Sequence, residues 1–273
     1  MTHQPAISFS ISFHFPFNRA GGRTSNVAKN YMSCVHKQLE ASLDRWQEVH
    51  WQIHQIEQHY HTPDGVRYSF NALIRAAKEI PQIISMELQR RADYQKKIKP
   101  QIERLKSDPL FSLLSQKRDY VVHRGMLDVS STGSIGTTEG RGRWKIGFPF
   151  SVKPWESSDE AYLRFVELCK ADNDVRKLMG PDCDSWPILQ RKWCLPDFPD
   201  QDFLAIAVTA WRTSGEVLSS ILTHLGADGL DLELQCAHDP ERVRSREFSQ
   251  EEFFRVVDRI NIRTGEQVVT PNA

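Results

Sequence analysis

Eight apolar residues, Val35, Leu39, Leu43, Trp46, Val49, Ile53, Ile56 and Tyr60, recur at three- and four-residue steps. That spacing gathers side chains on one face of a helix and commits the region from about Val27 to Tyr60 to helical packing. Thr62-Pro63-Asp64-Gly65 then supplies turn chemistry. A second helix is expected with Phe70, Leu73, Ile74, Ala77, Ile80 and Ile84 on its core side, kinked at Pro81 because the ring removes a backbone donor. Asp108-Pro109 reads as N-cap and first residue of a third helix, carrying Leu110, Leu113, Leu114, Tyr120 and Val121. Ser157-x-x-Glu160 is a capping box opening another, through Tyr162, Phe165, Leu168 and Val175 to a stop at Gly180-Pro181. The most apolar helix spans about Phe203–Leu225, and a last short one is expected from Ser249 to Ile260.

Two stretches break the helical period. Residues 7–17 alternate Ile, Phe, Ile, Phe, Phe and Phe with polar residues or proline, the pattern of a half-buried strand. Trp144 to Val152 is a second short β-like run. Ser130–Arg143, rich in Ser, Thr and Gly, reads as a mobile loop, and the Trp- and Pro-containing stretch from Trp186 to Pro199 as a connector. The expected fold is mainly α, an antiparallel helical bundle with one or two accessory β-strands. Its parts are a β-like segment (1–22), a helical core (23–128), a flexible loop and short strand (129–153) and further helices (154–273).

Composition narrows the function. With 35 Lys+Arg against 35 Asp+Glu in 273 residues, the chain is not coated in positive charge, so a nucleic-acid site must be local. No run approaches the ~20 apolar residues that cross a bilayer. Five cysteines without a CxxC pair suit reduced thiols, and a cytoplasmic location is expected. Phosphate loops, dinucleotide fingerprints and zinc-protease motifs are absent. His36, His50, His54 and His61 share a quadrant of the first helix. His50 and His54, four apart, have the spacing for one metal ion, but no third ligand is indicated, and a polar face is the plainer reading.

The chemical feature is Arg118-Asp119-Tyr120-Val121-Val122-His123. A histidine that titrates near neutral pH can move the proton of a 2′-hydroxyl, while a permanently charged guanidinium steadies the phosphate. Such chemistry needs no metal or other cofactor. The spacing recurs at Arg45 and His50, where Trp46 rather than a polar residue follows the arginine. Arg118-Asp119 followed by His123 resembles the R-[polar]-x3-H signature of the HEPN superfamily of helical ribonucleases, and the preceding helix with Phe70-Asn71-Ala72-Leu73 resembles its layout. The resemblance covers about residues 65–128. The tyrosine found two positions after the histidine in one toxin subgroup is Gly125 here.

This resemblance implies a metal-independent endoribonuclease in which Arg118 and His123 are catalytic. It further implies a homodimer whose two motifs meet, and a toxin–antitoxin or antiviral setting with a cognate antitoxin or partner protein. Five residues put Arg118 and His123 about 140° apart on a helix, so the arginine must reach round. Asp119, four residues before His123, is expected to orient the imidazole. Between Gln89 and Lys106 seven basic residues face two acidic ones. Lys96, Lys97 and Lys99, with Lys117 and Arg124, are candidate RNA contacts. The rival reading is a non-catalytic helical module that holds a protein or RNA partner, its 7–17 segment pairing with a partner strand.

Overall fold

The computed structural model describes residues 35–123, 127–139, 144–171, 185–233 and 240–248. The expected N-terminal strand, the stop at Gly180-Pro181, the Ser249–Ile260 helix and Arg124 lie outside them. The described chain is mainly helical and carries a five-stranded antiparallel sheet. Helices α1 (Glu40–Gln58) and α2 (Pro63–Leu88) are followed by a π-helical turn (Tyr94–Ile98), α3 (Lys99–Ser107) and α4 (Pro109–His123). Strands β1 (Ser130–Glu139) and β2 (Trp144–Phe150) precede α5 (Ser158–Ala171). Then come β3 (Ser185–Leu195), β4 (Phe198–Asp202), α6 (Phe203–His224), α7 (Pro240–Arg244) and β5 (Ser245–Glu247).

Sequence chemistry sets the helix starts. The Asp108 carboxylate accepts from the Leu110 and Phe111 amides at 2.9 and 3.1 Å. Ser157 and Glu160 exchange the two bonds of a capping box at 2.7 and 3.1 Å. Pro63 opens α2, where a missing amide hydrogen costs nothing. The helix runs on through buried Pro81 to Leu88.

Two apolar cores result. The larger joins α1–α4 and α6 through Trp46, Ile53, Phe70, Leu73, Ile102, Phe111, Phe203 and Leu218, and includes Trp193 of the sheet. Trp46 stacks on Trp211 at 4.8 Å, and any side chain at Gly215 would collide with the Trp46 indole, at 2.9 Å. The smaller core packs α5 on the sheet through Tyr162, Phe165, Ile135, Leu189 and Phe248.

Two expectations fail in the sheet. Ser130–Glu139 is a strand rather than a loop, and it pairs with β2 on one side and β3 on the other. Its small residues are a packing requirement: a Cβ at Gly133 would lie 2.7 Å from both the Gln190 carbonyl and a Val152 methyl. The Trp186–Pro199 connector is largely β3 and β4, with Pro187 near the strand's start. Among the described residues the strands are therefore five, where one or two were expected.

A buried polar seam joins the two cores. Asp202, 1% exposed, caps α6 at the Leu204 amide (2.9 Å), accepts the Tyr60 hydroxyl, and accepts the Trp193 amide at 3.2 Å. Burial and the adjacent carboxylate push the Tyr60 phenol above its ordinary range. Arg191, also 1% exposed, donates to Ser131 Oγ and to the Glu156 and Lys153 carbonyls, and stacks on Trp193. His61 bonds Ser158 Oγ at 2.8 Å through Nδ1, while the Ser158 amide donates to the His61 carbonyl at 3.1 Å.

Candidate functional site

The contacts fix how α2 and α4 run past each other. Phe70 stacks on Phe203 at 4.0 Å, placing the N-terminal half of α2 at the start of α6. Beyond α4 the chain reaches Ser130, paired with Cys194, which in turn pairs with Asp202 beside Tyr60. The end of α4 therefore lies toward the start of α2, and the two helices are antiparallel.

Lys78 of α2 meets α4 midway. Its ammonium donates to the Asp119 carboxylate at 2.5 Å and to the Ser115 carbonyl at 3.4 Å. Asp119 also accepts from Arg118 at 3.2 Å. These bonds, that of Lys78 foremost, hold the Asp119 carboxyl below its usual range. The expected Asp119–His123 bond is not formed; the acid steadies Arg118 and is itself held by Lys78. The reason is reach: Lys78 comes from the neighbouring helix directly onto the carboxylate.

Arg118 is half-buried, with its side chain 29% exposed. Its Nε is buried without a hydrogen-bond partner, as are Arg67 Nε and Asn71 Oδ1 on α2. Leaving such a group unsatisfied costs about 1–3 kcal/mol each. His123 is exposed at the last position of α4. Within this chain Arg118 and His123 stand on different sides of α4, and neither is both buried and fully bonded.

The candidate RNA-contacting lysines divide. Lys117 forms an ion pair with Asp197 and lowers that carboxyl's pKa. Lys96, Lys97 and Lys99 are exposed, with no ion pair among the described residues. They follow the C-terminal end of α2, near where Asp93 meets His224 at the end of α6. Seventeen residues of α2 separate Asn71 from Leu88, so these lysines stand roughly 25 Å along the helix axis from the end bearing His123.

The histidine stripe does not assemble a ligand set. The His50 and His54 rings are 4.8 Å apart, His50 lies against Trp211 at 5.4 Å, and His54 faces Glu57 at 3.3 Å. Among the described residues no three His, Cys, Asp or Glu side chains converge as a metal site. No described helix is long and apolar enough to cross a membrane.

Sequence reasoning missed the α2 side of the site. Arg67, Asn71 and Lys78 fall within about 40° on the helix. Their four- and seven-residue spacing was the available signal. It carried no meaning until α4 was known to lie against them.

Residues 33–143, less than half of the chain, match the family model described as bacteriophage lambda protein ea47. The match takes in α1–α4, and with them Arg118 and His123, but leaves out β3 and α6. No curated protein and no solved structure matches the chain.

Proposed function

We propose that this protein is a metal-independent endoribonuclease of HEPN type, built on an antiparallel bundle of α1–α4 and α6. The supporting observation is the pairing of an exposed histidine with an acid-steadied, half-exposed arginine on one helix. His123 at the open end of α4 takes the proton from the 2′-hydroxyl. Arg118, its fork turned by Asp119, neutralises the charge that grows on the phosphate as the 2′-oxygen attacks. The 5′-oxygen leaves, taking a proton from water, and a 2′,3′-cyclic phosphate is formed.

Because the two side chains point about 140° apart, the reading includes a homodimer in which Arg118 of one copy faces His123 of the other. A cytoplasmic role in a toxin–antitoxin or antiviral system, with an antitoxin or other partner protein, belongs to the same proposal.

The test is incubation of mixed-sequence RNA with the protein in excess chelator, beside Arg118→Ala and His123→Ala. Cleavage by the unaltered protein alone, leaving cyclic phosphate ends, is the expected result. No cleavage, or equal cleavage by all three, rejects it. The rival reading, a helical module that holds a partner without cutting it, has exposed Tyr68 (59%) and Met86 (64%) of α2 in its favour. It gains if the folded protein leaves RNA intact yet binds it.

A further inference from the structure

Among the described residues, the polar atoms buried with no partner on α2 and α4 are Arg67 Nε, Asn71 Oδ1 and Arg118 Nε. Asn71 and Arg67 belong to the stripe of α2 that Lys78 shows to face α4. Running from Lys78 toward the start of α2, that stripe follows α4 toward and past His123, because the helices are antiparallel. The eleven residues from Lys78 to Arg67 span roughly 16 Å. The paired surface of α2 and α4 thus carries at one end Arg118, bonded to the Asp119 carboxylate that Lys78 also holds. Asn71 lies near the level of His123, and Arg67 beyond it.

Its charges are unbalanced. The acids beside these cations are Asp119, which Lys78 already neutralises, and Asp64, 68% exposed and 3.8 Å from Arg67. Exposed Arg75 adds a further cation on the outer side of the same helix. The Arg67 and Arg118 side chains are part-exposed, at 21% and 29%, and the Asn71 amide hydrogens can donate between them, a set of donors that suits an anion repeated along a chain. A phosphodiester backbone has that form.

We propose that Arg67 and Asn71 are substrate-contacting residues, holding the RNA backbone beside the phosphate that Arg118 engages. This rests on the ribonuclease reading for the identity of the strand, but binding can be measured without cleavage. The strand lies along the paired surface of α2 and α4, and the distant Lys96–Lys99 cluster is not its principal anchor.

The probe is a short single-stranded RNA fully 2′-O-methylated, which has no nucleophile to attack the phosphate. Its affinity for the full chain is followed by fluorescence anisotropy across a salt series. Arg67→Ala is expected to weaken binding about tenfold and to reduce the slope of log affinity against log salt by about 0.7, the loss of one phosphate contact. Asn71→Ala should weaken binding about threefold and leave the slope unchanged, since an amide displaces no counterion. Arg67→Lys, the milder variant should Arg67→Ala not fold, retains the slope with reduced affinity.

An unchanged affinity and slope in Arg67→Ala overturns the proposal, as does a Lys96/Lys97/Lys99→Ala protein that alone loses binding. Failure of the unaltered protein to bind the probe overturns it as well. If the binding losses appear but unmethylated RNA is never cut, the α2–α4 surface stands as a backbone site and the ribonuclease reading falls. If His123→Ala abolishes cutting while Arg67→Ala binds normally, the reverse holds.

Discussion

Lys78 reaches across from α2 to hold the Asp119 carboxylate at 2.5 Å, so the acid that follows Arg118 is engaged by a neighbouring helix and not by His123. Asp119 thereby becomes a positioning residue for Arg118, joined to it at 3.2 Å. The pair is exposed enough that its value lies in orientation more than in stability.

Asp119→Asn keeps an oxygen for Arg118 and Lys78 to bond but removes the charge. Cleavage of RNA should fall about three- to tenfold, with the pH–rate profile keeping its shape, because the carboxylate does not touch His123. Lys78→Met should cause a similar loss and Lys78→Arg should restore most of it. A profile whose histidine limb moves in Asp119→Asn would return the acid to His123.

Acid sensitivity should expose two opposed groups. Burial pushes the His61 imidazole down from 6.5 to about 4, so across that interval the unfolded chain binds the extra proton and stability falls as pH falls. The limit of that loss is about 3 kcal/mol. His54, lowered by burial too, acts in the same direction. Burial raises the Glu57 carboxyl from 4.5 to about 7, so between those values the folded state binds the extra proton and stability grows as pH falls. Urea midpoints of the unaltered protein should change little from neutral pH to the upper end of the acid range. Glu57→Gln should lose stability on acidification, and His61→Asn should lose less than the parent or gain. Three parallel curves would show that these shifts are not felt in folding.

Asp202→Ala removes the shared acceptor of the Tyr60 hydroxyl and the Trp193 and Leu204 amides. All three donors are then left inside the protein, and the expected loss is about 3–5 kcal/mol, read from chemical denaturation. Tyr60→Phe removes one donor and leaves the carboxylate its amides, so about 1–2 kcal/mol is expected. Equal losses in the two variants would mean that Tyr60 carries the seam.

Ser157→Ala deletes one half of the capping box on α5, with Glu160 left to bond the Ser157-position amide alone. About 1 kcal/mol is expected. Since α5 packs on the sheet through Tyr162 and Phe165, the loss should appear as faster amide exchange in α5 and β1 before it appears in α1.

What was legible in the chain was what depends on near neighbours. The stripe from Val35 to Tyr60, the Asp108 cap and the Ser157–Glu160 box all act within a few residues, and the structure forms each of them. Strand β1 was illegible because its identity comes from Gln190 and Val152, far along the chain, which demand a glycine at 133 where local statistics suggest a loop. The same distance effect hid half of the candidate site. Arg118 and His123 stand out within one helix, whereas Arg67, Asn71 and Lys78 gain meaning only when α4 folds back along α2.

The polar character of β1 has a consequence for how the chain reaches this fold. Ser130 pairs with Cys194 and Glu139 with Ser185, so during synthesis β1 leaves the ribosome well before β3 exists to cover it. The α1–α2 hairpin can form meanwhile from local contacts, but the sheet must wait for a long loop to close. A strand of Val and Ile held open for that interval would recruit other nascent chains. Ser-Ser-Thr-Gly-Ser-Ile-Gly-Thr-Thr-Glu offers them a single large apolar side chain, Ile135, and so stays unassociated until its own partner arrives.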